Sequence, residues 1–110
     1  SVAPATYLQY TVLTGIAQNN EPAEFSLGQN YPNPFNPATS IEFSVGKFSR
    51  VKITVSDLLG REVAELVDVQ YTTGTYNAVF EGKKYPSGIY FYTMFVDGLV
   101  TETKKMILIK

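Results

Sequence analysis

The chain has 110 residues, 45% of them hydrophobic, and its nine basic and ten acidic residues leave a formal charge of −1. This length fits one domain with a packed core, and the near-zero charge argues against nucleic acid or an anionic membrane surface as a partner. Cysteine and histidine are both absent, which excludes disulfides, a Ser-His-Asp triad, a cysteine nucleophile and the usual zinc site.

The first 20 residues are expected to end an upstream module. Apolar and polar residues alternate over residues 7–16 as in a β-strand, and the polar stretch 17–22 ends in a proline, as linkers often do. We therefore place residues 1–20 in an upstream module and its linker, and residues 21–110 in one domain. Because the chain starts without a signal-peptide pattern, we expect it to be one part of a longer protein.

Residues 29–37 hold three prolines, and we call them the strap. Each proline lacks an amide donor and biases the preceding residue toward extended geometry, which excludes a helix or a central strand. We expect Tyr31 and Phe35 to anchor the strap in an adjacent core, and Asn33 and Asn36 to form Asx turns. A strap that closes one end of the fold is favoured over a direct receptor contact. The residues given this structural role are Asn30, Pro32, Asn33, Pro34, Phe35, Asn36 and Pro37.

Alternating apolar and polar residues predict strands with one buried face after the strap. These runs cover residues 40–45, 51–56, 61–67 and 76–80, and a short edge strand precedes the strap at Phe25 and Leu27. The run 61–67 could instead be one helical turn, but its β-branched content favours a strand. Asp57 and Gly60 have the residue types of a tight turn, and Phe80 is predicted to face the core.

The last two runs, residues 89–96 and 99–109, predict a β-hairpin around Asp97-Gly98, because a type I′ turn needs positive φ at both central residues. The turn would place Val96 opposite Leu99, Met94 opposite Thr101, and Tyr92 opposite Thr103. This register puts the odd-numbered residues 99, 101 and 103 on the same face as Tyr92 and Met94. The apolar residues Met106 and Leu108 have even numbers, so a β-bulge between Lys104 and Met106 is predicted to bring them to that face. About seven short strands without a helical period predict an all-β fold, an immunoglobulin-like antiparallel β-sandwich.

Four motifs occur along this chain in a fixed order. They are Gln-Asn-Tyr-Pro-Asn-Pro-Phe-Asn-Pro-Ala-Thr-Ser-Ile at 29–41, Asp-Leu-Leu-Gly-Arg-Glu-Val at 57–63, Ser-Gly-Ile-Tyr-Phe-Tyr at 87–92, and Thr-Lys-Lys-Met-Ile-Leu-Ile-Lys at 103–110. Together they resemble the carboxy-terminal type A sorting domain of the type IX secretion system, over about residues 24–110. Two departures are visible: Ser56 stands where that family commonly has tyrosine, and Phe80 where it commonly has tryptophan.

The resemblance implies a secretion and sorting signal rather than an enzyme. Such a domain guides a fused upstream cargo from the periplasm through an outer-membrane translocon to the cell surface or the extracellular space. A sortase-like peptidase then typically removes it and can attach the cargo to surface lipopolysaccharide. The alternative is a carbohydrate-binding or spacer β-sandwich of a secreted hydrolase, which the absence of tryptophan weakens. No cofactor or metal is expected, because the spacing of Asp57, Asp68 and Asp97 does not resemble an oxygen-ligand loop.

Recognition by the translocon or the sortase-like peptidase is expected at the final hairpin. The residues assigned to it are Gly88, Tyr90, Lys104, Lys105, Met106 and Lys110. A receptor that adds a strand to an exposed edge would gain main-chain hydrogen bonds and could read the lysines as specificity determinants. The competing interpretation is that the lysines only protect an edge strand from aggregation. Aromatic residues 90–92 are interpreted as core and cross-strand packing rather than as a sugar-stacking platform.

Overall fold

The computed structural model describes residues 24–110, which form seven β-strands. The strands are β1 (Ser26–Leu27), β2 (Ala38–Val45), β3 (Ser49–Ser56), β4 (Glu62–Tyr71), β5 (Gly74–Glu81), β6 (Gly88–Val96) and β7 (Leu99–Leu108). This part of the chain holds no helix long and apolar enough to cross a membrane. The predicted module boundary near Asn20 and the predicted strand at 7–16 lie outside the described residues.

The strands form two antiparallel sheets, with orders β1-β2-β5 and β4-β3-β6-β7, so the all-β sandwich prediction is confirmed. At the two open sides of the sandwich β1 lies beside β7 and β4 beside β5. The core between the sheets comes from alternate residues of each strand, because successive side chains point to opposite faces. Its buried members are Leu27, Phe35, Ile41, Phe43, Val45, Val51, Ile53, Val55, Ala78, Phe80, Tyr90, Tyr92, Met94, Met106 and Leu108.

The final hairpin closes through Asp97 (φ 50°) and Gly98 (φ 86°), and Val96 pairs with Leu99 as predicted. The bulge lies nearer the turn than predicted. It falls at Thr101, because Val100 pairs with Phe95 and Glu102 pairs with Met94.

The predicted bulge between Lys104 and Met106 is therefore wrong, since both residues pair without interruption, with Tyr92 and Tyr90. The predicted pairs Met94–Thr101 and Tyr92–Thr103 are also wrong, because the bulge at Thr101 shifts the register by one residue. Glu102 and Lys104, although charged, share the inward parity of Met106. This is possible because β7 is the edge of its sheet, where inward-pointing charges are tolerated and discourage pairing with another chain.

Strand β4 carries two irregularities, which account for the mixed pattern of its sequence. Leu66 is left without a partner between the pairs Ile53–Val67 and Thr54–Glu65, and Val63 is bypassed in the same way nearer the start of the strand. Both side chains pack partly buried against the core. An extra residue shifts the side-chain parity by one, so this strand departs from strict alternation although it is a strand as predicted.

Candidate functional site

The strap leaves the β1-β2-β5 sheet and runs along the outer edge of β7 in the other sheet. The amide of Phe35 donates to the carbonyl of Ile107 (2.9 Å), and the amide of Ile109 donates to the carbonyl of Phe35 (2.9 Å). The amide of Ile107 donates to Oδ1 of Asn33 (3.0 Å). The side chain of Asn33 thus bonds to a distant strand, whereas the sequence had predicted a local Asx turn within the strap. These bonds give the end of β7 a backbone partner that the sheet itself does not supply.

One more contact extends this cover up the strand. Nε2 of Gln29 donates to the carbonyl of Lys105 (2.8 Å), so the strap contacts the edge of β7 from Lys105 to Ile109. Nearer the hairpin turn, Leu99 and Val100 expose 75% and 64% of their surface. Residues 105–109, the end of β7 and the residue after it, therefore form a covered lower edge, and residues 99–103 form an upper edge with exposed apolar side chains.

A buried polar network fixes the start of the strap. The hydroxyl of Tyr92 donates to the carbonyl of Gly28 (2.7 Å) and accepts the amide of Asn30 (2.8 Å). The side chain of Asn30, 2% exposed, donates through Nδ2 to Oγ1 of Thr39 (3.0 Å) and to the carbonyl of Pro32 (3.1 Å). Burial raises the pKa of Tyr92 to about 12, against the lowering effect of the Asn30 amide.

The two expected aromatic anchors of the strap have different outcomes. Phe35 is 1% exposed and packs edge-on against Phe80 at 5.9 Å between ring centroids, so its prediction is confirmed. Tyr31 is 80% exposed, and its prediction is wrong. Tyr31 and Ser40 exchange two backbone hydrogen bonds (2.9 and 3.0 Å) as a strand pair does, and the alternation that turns Asn30 inward turns Tyr31 outward.

Two of the residues assigned to recognition face the interior. Tyr90 and Met106 pair across the hairpin, are 4% and 0% exposed, and belong to the core. The Tyr90 hydroxyl donates to the carbonyl of Pro86 (2.6 Å). Gly88 begins β6, and the space where a side chain would stand is open.

The three lysines assigned to recognition lie in three different environments. Lys104 has inward parity, and its Nζ lies 3.1 Å from Oε2 of Glu102. Lys105 is exposed and, by alternation, lies on the outer face of its sheet. Nζ of Lys110 donates to the carbonyl of Lys83 (2.6 Å) at the end of the sandwich. The fold therefore does not gather these cations into one patch.

The turn between β3 and β4 is held by one side chain. Oδ1 of Asp57 accepts the amides of Leu59 (2.9 Å) and Arg61 (3.0 Å), and Oδ2 accepts Nε of Arg61 (2.9 Å). Burial alone would raise the pKa of the Asp57 carboxyl, but the bonds from Arg61 and Leu59 lower it below its usual value. Gly60 has φ 86° and donates its amide to the Asp57 carbonyl (2.9 Å).

This turn lies against the beginning of β6, which sequence reasoning did not anticipate. A shallow groove of about 280 Å³ separates them, lined by Asp57, Leu58, Leu59, Arg61, Pro86, Ser87, Gly88, Ile89 and Tyr90. Leu58 and Leu59 are 66% and 77% exposed. Their sequence signal is two adjacent leucines enclosed by the turn residues Asp57 and Gly60, where polar side chains are more usual.

Comparison with known proteins gives one family. A family model described as "Secretion system C-terminal sorting domain" matches residues 29–110. No curated protein matches the chain. Among solved structures, the Pseudomonas fluorescens alkylpurine DNA glycosylase AlkC bound to DNA containing an abasic site analog is similar over 80% of this chain, with 14% identity and a TM-score of 0.47. The match spans 31% of that protein, and a likeness this distant supports no inference about function.

Proposed function

This chain belongs to the secretion system C-terminal sorting domain family and is a type IX sorting signal, and from that premise we propose that the export machinery recognises its β6–β7 hairpin. The family assignment implies a larger cargo protein and export across the outer membrane to the cell surface or extracellular space. The match over residues 29–110 carries the sorting function, and the position of β7 at the edge of its sheet, with Leu99 and Val100 exposed, supports recognition at the hairpin.

Partner binding by strand addition is the mode that the hairpin favours. A sheet edge offers backbone donors and acceptors, and a partner strand that pairs with them gains main-chain hydrogen bonds. The strap already contacts residues 105–109, so we assign pairing to residues 99–103, beside which the two-residue strand β1 is the neighbour and where Glu102 accepts the Leu27 amide. There the exposed side chains of Leu99 and Val100 would add apolar contact area.

Within this proposal the assigned residues have separate roles. Lys105 is exposed on the outer face and contributes a positive charge to partner binding. Lys104 contributes less because its ammonium group is paired with Glu102, and Lys110 contributes less because its ammonium group binds the Lys83 carbonyl. Tyr90 and Met106 act indirectly, by packing the paired strands on the core.

The later fate of the cargo belongs to the same proposal. After passage through the translocon, a sortase-like peptidase separates the domain from its cargo, and the cargo is attached at the cell surface. An ordered domain suits this role, because a partner can recognise its shape without paying the entropy of folding a disordered signal.

A reporter fusion tests the proposal. We expect the 110-residue chain to direct a fused reporter to the medium or cell surface in a host with a type IX translocon, and to leave it in the periplasm when the translocon is deleted. Lys105→Glu combined with Lys110→Glu should impair export while the free energy of unfolding stays within about 0.5 kcal/mol, as for most surface substitutions.

The control reverses one charge away from the hairpin, as Lys47→Glu at an exposed position between β2 and β3, and is compared with Lys105→Glu alone. This control should be exported normally. Normal export of a folded Lys105→Glu, Lys110→Glu variant would rule out recognition of charge at the hairpin.

A further inference from the structure

Two neighbouring leucines project from the turn between β3 and β4 at the end of the sandwich opposite the hairpin turn. Leu58 and Leu59 are 66% and 77% exposed, although their neighbours in the turn, Asp57 and Gly60, are typical turn residues. Single exposed apolar residues are common on protein surfaces, but here Ile89, 36% exposed, lines the same groove. A contiguous exposed apolar patch is a feature of interaction sites.

The leucines are held in a defined position. Both carboxylate oxygens of Asp57 bond within the turn, to the amides of Leu59 and Arg61 and to Nε of Arg61. The backbone closes the same turn, because the amide of Asp57 donates to the Arg61 carbonyl and the amide of Gly60 to the Asp57 carbonyl, both at 2.9 Å. An apolar anchor that is ordered before binding loses little conformational entropy when a partner covers it.

The groove beside the leucines is concave and has a fixed far wall. That wall is the segment Pro86–Gly88, which the bond from the Tyr90 hydroxyl to the Pro86 carbonyl (2.6 Å) holds in place. Gly88 contributes no side chain, and the space beside it is open. A volume of about 280 Å³ accommodates an apolar side chain from a partner, between the leucines on one side and residues 86–89 on the other.

The lining of the groove contains one accessible cation. The side chain of Arg61 is 73% exposed, so its guanidinium stays accessible although Nε binds Asp57. Lys110 adjoins the opposite wall only through its backbone amide, which donates to Oγ of Ser87 (3.0 Å), because its ammonium group binds the Lys83 carbonyl (2.6 Å). Among the lining residues the one carboxylate, Asp57, is already paired and only 18% exposed. The complementary partner surface is therefore acidic around an apolar centre.

We propose that this groove, with Leu58 and Leu59, is a second docking site for the export machinery, which binds an extended protein segment carrying an apolar side chain flanked by carboxylates. The proposal rests on the proposed function as an export signal. Concavity favours a protein segment over a lipid surface, because a bilayer presents no side chain to fill a groove.

The test replaces both leucines in the 110-residue chain fused to a reporter. Leu58→Ser with Leu59→Ser should reduce the exported fraction at least about tenfold, as expected for loss of two buried anchors at an interface. The matched control, Val69→Ser with Val79→Ser, removes two exposed aliphatic side chains (50% and 64% exposed) from other surfaces and should be exported like the unaltered chain. Thermal unfolding midpoints of both variants should stay near that of the unaltered chain.

Each outcome decides the proposal. Export of the leucine variant at the unaltered level overturns the docking site and leaves the sorting function intact, whereas failure of the unaltered fusion to be exported overturns both. Purified chain should be captured by detergent-solubilised translocon, and the leucine variant at least about tenfold less. Leucine-dependent binding to vesicles of phosphatidylcholine and phosphatidylglycerol would overturn the protein-segment assignment in favour of a membrane surface.

Discussion

Replacing Tyr92 by phenylalanine would remove one hydroxyl from the centre of the molecule and leave the ring in place. The side chain is 0% exposed, and its hydroxyl serves both the Gly28 carbonyl at 2.7 Å and the Asn30 amide at 2.8 Å. The substitution therefore leaves one acceptor and one donor without their partner at the point where the chain passes from β1 into the strap.

The expected cost follows from those two groups. An unsatisfied buried polar group costs about 1–3 kcal/mol, and Asn30, 2% exposed, has little access to water. Gly28 is half-buried, so water can recover part of the loss at its carbonyl. We expect Tyr92→Phe to lower the free energy of unfolding by about 2–4 kcal/mol, a large share of the roughly 5–15 kcal/mol usual for a domain.

Urea denaturation of the two proteins measures this difference. The control is Tyr90→Phe, whose hydroxyl donates to a single carbonyl on the exposed residue Pro86, and which should cost about 1 kcal/mol or less. Amide exchange should also accelerate at Asn30 in the Tyr92 variant. A change below about 0.5 kcal/mol with unaltered exchange would refute the view that this hydroxyl holds the start of the strap.

The stability of the same variant should also depend differently on pH in the alkaline range. Burial raises the pKa of Tyr92 to about 12, whereas an unfolded chain releases the proton near about 10. The folded state thus holds the proton more tightly, and the associated stability is complete below about pH 10 and lost as the pH rises toward about 12. Tyr92→Phe lacks this group, so its free energy of unfolding should fall less steeply across that interval.

Two further substitutions test the core and the strap. Phe80→Ala should lower the free energy of unfolding by about 3–5 kcal/mol, because the ring is 2% exposed; a cost below about 1 kcal/mol would contradict its inward placement. Asn33→Ala should accelerate amide exchange at Ile107, whose N–H then loses its acceptor, and have less effect at Ile109, which bonds to the strap backbone. Tyr31→Ser is the control and should change neither amide, since Tyr31 is 80% exposed.

Local patterns predict the strands well, because burial of one face imposes a period of two wherever pairing is regular. Ile41, Phe43 and Val45 follow this rule and are at most 1% exposed. The hairpin bulge could not be placed in the same way. The reason is that the inward positions before Met106 hold the charged residues Glu102 and Lys104 instead of apolar ones. Oε1 of Glu102 accepts the amide of Leu27 (3.1 Å), a contact across the open side of the sandwich.

The candidate site is less accessible to sequence reasoning than the fold. The prolines predict an extended strap but not its destination, since Asn33 and Phe35 bond to residues more than 70 positions along the chain. The groove joins the turn at Asp57 to Gly88, segments that carry separate motifs in the sequence. Long-range contacts of this kind depend on sheet order, which local patterns do not specify.

The cover over β7 decides how a partner strand can bind. A strand that replaced the strap at residues 105–109 would recover the backbone hydrogen bonds, but it would also have to lift Phe35 from a site where it is 1% exposed. Exposing such a side chain costs about 1.5–3 kcal/mol, which a partner strand does not return unless it supplies a comparable side chain. Pairing at the upper edge, residues 99–103, leaves Phe35 buried, although the partner strand would lie beside β1, whose Leu27 amide donates to Oε1 of Glu102 (3.1 Å).

The Asn33→Ala variant distinguishes these two modes in the export assay. It loosens the strap at Ile107 without touching the core, because the bond that it removes is exposed. If the partner pairs with residues 99–103, export should equal that of the unaltered chain, since the strap never moves. If the partner displaces the strap, the weakened cover should favour binding and increase the export rate, which would refute pairing at the upper edge.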